Sequence, residues 1–395
     1  MNKMDIEALR SETPGVRESV YLNTGSCALM PQPVIDAVQD YFALEAKIGA
    51  YPAMMQAHDK SEAVYGSIAR LINAKPNEIA LMSSHSHAWT SVFYGIQFAA
   101  GDRILTSRSE YGANYVAFLQ MRKRTGCAID VIPSDNSGAT SPAALERMID
   151  DRVKLIAINW IPTNGGLVNP AAEIGRIAKA HGIPYLLDAC QAVGQMPVDV
   201  NELACDYLAS AGRKWLRGPK GTGFLFVRED RLDDIEPAVI DDVGAVWTAP
   251  GAYELRPDAR RFETHEHEPA LRLGLGAAAD YALALGLDAI RARIRALAEG
   301  LRAELASIPG VTVRDLGTEQ AGLVTFSHES VAAAQITATL KDKGIWVKTI
   351  PRSGALLDTT ARNLDELVRV SAHYYNSQEE LERFLDSLRA ITGNS

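Results

Sequence analysis

PYLLDACQAVGQMPVDVNELACDYLASAGRKWLRGPKGTGFLFV, from Pro184 to Val227, is the stretch that decides the fold. PYLLDA is a short apolar run ending in Asp188, the pattern by which a buried strand delivers a carboxylate to the open edge of an α/β sheet. Gln191 follows within one turn. DYLAS, Asp206 to Ser210, reads as a second buried strand leading into Gly212, Arg213 and Lys214, and GPKGTGFLFV gives a glycine-rich turn before a third. Lys214 therefore projects from a turn after a core strand. Lys220 sits inside the glycine-rich turn, where flexible charged residues are usually solvated, and has the weaker claim to chemistry.

A lysine held there, with a carboxylate delivered by the preceding strand, suits a Schiff base to an aldehyde cofactor whose ring nitrogen must stay protonated. That cofactor is pyridoxal phosphate: the protein supplies the amine, an acidic partner for the pyridinium and a phosphate site, and the ring acts as the electron sink. DACQAVGQMPVDV followed by GRKWLRGPKGTGFLFV resembles the aminotransferase class V family, and the resemblance runs from about Tyr21 to the last helix. It implies an α/β chain of pyridoxal phosphate fold type I, with a mostly parallel mixed sheet sandwiched by helices and a smaller C-terminal α+β domain. It also implies a homodimer with shared active sites. Within the family, RKWLRGPKGTG and the later RRFE resemble hercynylcysteine sulfoxide lyase and isopenicillin N epimerase-like members most closely.

Upstream, IALM runs into Ser83, Ser84, His85, Ser86 and His87 and then into a helical apolar pattern. The free N–H groups of a helix's first turn, with hydroxyls beside them, make a phosphate site without a glycine-rich loop. The resemblance puts Ser84, His85 and Ser86 at the cofactor phosphate; a serine capping the helix is the alternative. RILTS, a polar turn and a helix repeat the unit, which means a parallel sheet. In the turn SEYGAN the resemblance places Tyr111 on the pyridine face, where many relatives carry histidine. It places Thr163, with the register between Thr163 and Asn164 open, and Gln191 or its neighbours near the phenolic oxygen. Arg213 departs from the histidine-lysine pair of cysteine desulfurases and could reach the phosphate instead.

Downstream, VIDDVGAVWTAPGAYELRPDARRFETHEHEPA shows little periodicity and resembles the family loop that crosses a dimer interface, so that Thr264 or His265 would touch the neighbour's phosphate. His265, Glu266 and His267 crowd together, but an HxH pair on a strand faces one way and no other cluster completes a shell, so no metal is expected. Pro269 to Ile308 reads as two long helices, after which strands and helices alternate. The expected division is an arm at 1–20, a large cofactor-binding domain at 21–268 and a small domain at 269–395. Arg369 stands mid-strand among apolar neighbours in ELVRVSAHYYN, an expensive place for a guanidinium unless an anion meets it. A structural ion pair is one reading. The family's matching RxS followed by YN implies a fork onto the substrate's α-carboxylate, with Asn23 as a second substrate-binding candidate.

With 395 residues, 47% hydrophobic and 23% charged, the chain is long enough for a large core and a second domain. A net charge of −9 without a basic run excludes a nucleic-acid surface, and the absence of a long apolar stretch excludes a membrane span. A cytoplasmic location is expected by default. Cys27, Cys127, Cys190 and Cys205 lack CxxC spacing and read as reduced thiols. Desulfurases need a loop cysteine shortly before the carboxylate arginine, and Ile350 to Glu366 contains none. The expected reaction is therefore carbon–sulfur β-elimination from a cysteine conjugate or its sulfoxide. Epimerisation and amino transfer are the alternatives, and a non-catalytic binding module on the same fold is the reading from another class.

Overall fold

The computed structural model describes residues 4–393. Seven strands form the central sheet: β1 (Ile79–Met82), β2 (Arg103–Ser107), β3 (Ala128–Ile132), β4 (Val153–Asn159), β5 (Tyr185–Asp188), β6 (Tyr207–Ala211) and β7 (Gly223–Val227). Their order is β1-β7-β6-β5-β4-β2-β3, and only β7 runs against the others. Alternation splits the side chains between two cores. Leu187, Leu208, Phe224 and Phe226 enter one, whereas Leu186, Ala209, Leu225 and Val227 enter the other. Helices cover both faces, which is why these strands are short, almost wholly apolar runs rather than half-polar ones.

A second sheet is built from β8 (Val311–Val313), β9 (Val324–His328), β10 (Lys348–Ile350) and β11 (Leu367–Val370), antiparallel in the order β8-β9-β11-β10. Its core takes Leu297, Leu301 and Leu305 from helix Leu287–Ala306, and Phe384 and Leu388 from helix Gln378–Thr392. Val20 and Leu22 join that core, and Val20–Tyr21 pairs with Ile345–Trp346. Helix Pro269–Leu285, by contrast, sends Leu275, Ala278, Ala279 and Ala282 into the core of the large sheet.

Local differences from the sequence reading have local causes. Between the N-terminal segment and β1, helices Ala50–Gln56 and His58–Ile72 are separated at Ala57. The segment of weak periodicity contains a hairpin, Ala245–Ala249 with Ala252–Leu255, folded about Pro250 and Gly251, with strands too short for a periodic signal. The stretch before β11 is a 3-10 turn, Arg352–Ala355, and a helix, Leu356–Ala361. Among the described residues no single helix is long and apolar enough to cross a membrane.

Candidate active site

The C-terminal ends of β1, β2, β4, β5 and β6 open on one edge, and the polar residues of the site sit just past them. Asp188 closes β5 and is buried. Its Oδ1 accepts from the Cys190 amide at 2.9 Å, while Oδ2 accepts from Asn114 Nδ2 at 3.1 Å and lies 3.1 Å from His85 Nε2. Burial pulls its pKa upward, but His85, Lys214 and the Cys190 amide together outweigh that and hold the carboxyl below its ordinary value. Burial raises the pKa of the Cys190 thiol, and the charge of Lys214 pulls against it. Lys220 is exposed, as expected of a turn lysine.

Helix His85–Phe93 begins at the end of β1 with Ser84 as its N-cap, the Ser84 hydroxyl accepting from the His87 amide at 3.1 Å. The cap uses an acceptor lone pair of the Ser84 hydroxyl and leaves its O–H free to donate to an anion. The His85 ring is buried against Asp188, so what His85 offers an anion is its backbone amide. The amides of the first turn and the exposed Ser86 are what the turn offers an anion. Gly223 is required here, because a Cβ would lie 2.7 Å from the Ser84 carbonyl carbon and 3.0 Å from the His85 nitrogen.

Tyr111 caps helix Gly112–Thr125, half-buried, its ring 6.5 Å from that of His85 and edge-on to it. Burial first, then Cys190 and Asp188, raise its pKa against the pull of Arg213 and Arg369. Gln191 is buried; Nε2 donates to the Gly25 carbonyl at 3.0 Å and Oε1 accepts from the Trp215 indole at 2.8 Å. One Nε2 hydrogen is left for a ligand.

Arg369 lies in β11, 2% exposed. Nη1 donates to the Thr163 carbonyl and hydroxyl at 3.0 and 2.9 Å, Nη2 donates to the Ser26 hydroxyl at 2.6 Å, and buried Nε has no partner among the described residues. Nor does any carboxylate pair with it among those residues, and burial lowers its pKa to about 10. Thr163 thus accepts from the arginine, and its hydroxyl hydrogen is still free to donate. Asn164, the other register, donates to Asp358 at 2.9 Å. Asn23 has a buried Oδ1 without a donor among the described residues, beside its bridge to Ser371.

Arg213 is half-buried next to Lys214. Thr264 lies apart from these residues, lining a cavity of about 290 Å³ with Ser83, His87, Gly223 and Arg272, and His265 is exposed. Glu110, Asn114, Ser26 and Asp358 were missed from sequence. Glu110 precedes the N-cap of the helix that carries Asn114, so no helical spacing pointed to their contact, Asn114 Nδ2 to Glu110 Oε1 at 3.0 Å. His85, Asp188 and Cys190 bring possible metal-ligating atoms within 4.8 Å of one another, a group that spacing alone could not reveal.

The family model for aminotransferase class V matches residues 20–384. A probable cysteine desulfurase of Methanothermobacter thermautotrophicus is 30% identical, the match covering 99% of each chain. An apo cysteine desulfurase from Thermococcus onnurineus superposes with a TM-score of 0.93 at 28% identity, covering both chains completely. A complex between the cystine C–S lyase C-DES and its product cysteine persulfide shares the fold, with a TM-score of 0.86 at 24% identity over 95% of this chain and 99% of that one. These relatives are cysteine desulfurases and a lyase rather than the sulfoxide lyases and epimerases that RKWLRGPKGTG suggested. The residues present suit pyridoxal phosphate: a buried carboxylate, an amine beside it and an open helix N-terminus at one sheet edge. The chain belongs to the aminotransferase class V family of pyridoxal phosphate-dependent enzymes.

Proposed function

We propose that the protein cleaves the Cβ–sulfur bond of a cysteine-derived amino acid by β-elimination, releasing 2-aminoacrylate that hydrolyses to pyruvate and ammonia. The observation that carries this reading is the segment before β11. It holds no thiol and is folded as a short helix, pinned where Asp358 accepts from Asn164 at 2.9 Å and pairs with Arg362 at 3.1 Å and Arg108 at 3.3 Å. A buried carboxylate with two guanidinium partners and an amide holds that helix down, so it offers no swinging nucleophile for sulfur.

Arg369 binds the α-carboxylate and fixes the substrate's orientation, Nε being the donor still open. Asp188 keeps the pyridine nitrogen protonated, Tyr111 covers the ring face, and the amides of His85 and Ser86 receive the phosphate. When bound, the cofactor supplies the sink for the electron pair left at Cα. Lys214 holds the cofactor, then takes the Cα proton once substrate displaces it. Departure of a thiolate or sulfenate from Cβ outruns reprotonation because the leaving group is good.

The test is a panel of cysteine, cystine, S-substituted cysteines and their sulfoxides. Pyruvate should appear from the sulfur-substituted members and vanish in Lys214→Ala. Inverted amino acid alone, or stoichiometric keto acid, would replace the lyase with an epimerase or an aminotransferase. A desulfurase reading is favoured by the relatives' names and by Cys27. Of the four cysteines it alone is not buried, and it lies on the segment that touches Gln191 through Gly25 and Arg369 through Ser26. Alanine formed together with a persulfide on Cys27 would establish that reading.

A homodimer completes the proposal. The hairpin Ala245–Leu255 exposes Val246, Trp247 and Tyr253, a small apolar patch beside the chain that leads to Thr264. Sedimentation should give a dimer; a fully active monomer would exclude shared sites.

A further inference from the structure

Asn114 stands in the first turn of helix Gly112–Thr125, buried, and its one amide nitrogen serves two acids. It lies 3.1 Å from Asp188 Oδ2 and 3.0 Å from Glu110 Oε1. An amide nitrogen has two hydrogens, so both are spent, one on each carboxyl group. Facing two acceptors, the side chain has only one acceptable flip, because the reverse would aim its carbonyl oxygen at them. Glu110 is itself buried and is held by the Tyr111 amide at 2.8 Å on Oε1 and the Thr106 hydroxyl at 2.9 Å on Oε2.

We propose that Asn114 and Glu110 are positioning residues for Asp188, the amide bridge fixing which carboxylate oxygen faces the cofactor's ring nitrogen and Glu110 keeping the bridge from turning. This rests on the reading of Asp188 as the ring-nitrogen partner. Oδ2 accepts from Asn114 and has His85 Nε2 crowded against it at 3.1 Å, whereas Oδ1 meets only the Cys190 amide, so Oδ1 is the oxygen with more room for a further donor. The titratable groups that face this pair are His85 from the helix after β1, Cys190 from the turn after β5, Lys214 from the turn after β6, and Tyr111. They gather around Asp188. Among the described residues, Glu110 has no cationic partner. Burial first, and repulsion from Asp188 second, push its carboxyl up to about 8 against the pull of its three donors. Near neutral pH it is therefore a neutral acid, able to donate to the Thr106 oxygen while Oε1 still accepts from Asn114.

A neutral acid in that role has a close mimic in glutamine. Cofactor affinity of the purified protein, and the pH midpoint of the bound cofactor's absorbance change, should be compared in Asn114→Ala, Asn114→Ser, Glu110→Ala, Glu110→Gln and Asp188→Ala. Asn114→Ala and Glu110→Ala should weaken the cofactor about tenfold and move the midpoint, as expected for one lost buried hydrogen bond. Glu110→Gln should stay within about twofold on both readouts. Asn114→Ser, with less volume lost, stands in if the alanine variant fails to fold. Wild-type affinity and midpoint in a folded Asn114 variant overturn the proposal, as does a Glu110→Gln loss equal to that of Glu110→Ala. If Asp188→Ala itself changes neither readout, the assignment of Asp188 falls and takes the bridge with it; if only Asp188→Ala changes them, the bridge alone is wrong.

Discussion

Arg217 and Arg369 are buried to the same depth, at 1% and 2% exposure, and neither meets a carboxylate among the described residues, yet they are held in opposite ways. Every nitrogen of Arg217 is used: Nε on the Leu29 carbonyl at 2.8 Å, Nη1 on the Tyr374 hydroxyl at 2.7 Å and Nη2 on the Thr13 hydroxyl at 2.6 Å. The rings of Tyr375, Tyr374 and Tyr281 lie 4.6, 5.2 and 5.7 Å from its guanidinium carbon. Arg369 donates only from Nη1 and Nη2, and its buried Nε has no partner among the described residues. A closed shell of neutral donors, acceptors and rings marks a structural cation, here one that ties the N-terminal segment to the loop after Lys214 at a left-handed φ of 64°. An open shell at the same depth marks a cation that awaits an anion.

The largest effect should come from breaking the open shell. Arg369→Leu removes about 3 kcal/mol of charge-assisted binding to the substrate carboxylate, or roughly 150-fold in kcat/KM, carried mainly by KM. Its thermal stability should fall by less than in an Arg217 variant, because the loss of donors to Thr163 and Ser26 is partly offset when a buried charge without surrounding rings leaves the fold. Unchanged kcat/KM for α-amino acids would make Arg369 structural and erase the contrast.

Arg217→Leu should do the reverse. Stranding the Thr13 and Tyr374 hydroxyls and the Leu29 carbonyl should cost about 3 kcal/mol of stability. Thermal melting at constant cofactor concentration measures it, and the protein that stays folded should retain its KM. An Arg217 variant as stable as wild type would show that a filled shell does not identify a structural arginine.

The same distinction explains what could be read without coordinates. β5, β6 and β7 were legible because alternating side chains enter two cores, and that forces apolar runs. Asp188, Lys214 and Arg369 stood out as charged groups at or inside such runs. Their neighbours did not. Asn114 meets Asp188 across 74 residues, and Thr163 meets Arg369 across 206, so a polar residue at a loop or helix start could not show which way it would turn. That the Thr163 hydroxyl accepts from Arg369, and that the His85 ring lies against Asp188, could not be read from spacing. The helix Leu356–Ala361 was hidden for the same reason. Asp358 holds it through Arg108 and Asn164, both remote in sequence, and only the missing cysteine could be read there.

The acids repeat the contrast, and there the effect is read as a slope with pH. Asp188 and Glu110 are both buried and share one amide, but only Asp188 has cations beside it, so one pKa is held down and the other is driven up to about 8. In the unfolded chain Glu110 should ionise near the ordinary glutamate value of 4.5, whereas in the folded protein it keeps its proton up to about 8. Between those values the unfolded state binds fewer protons than the folded one. The stability that Glu110 contributes is therefore fully present below the unfolded pKa and is lost as pH rises toward the folded value, at most about 1.4 kcal/mol per pH unit. A bound pyridinium beside Asp188 weakens the repulsion, but burial is the larger cause and fixes the sign. Glu110→Gln cannot ionise and should lack this slope. Melting temperatures of the cofactor-loaded proteins, taken at intervals from pH 5 to 9, should show the variant gaining on wild type as pH rises and the gap levelling off above about pH 8. A gap that stays flat across that range would mean Glu110 is already ionised in the folded protein. The bridge would then join two anions, and depth without a cation would no longer decide which buried acid keeps its proton.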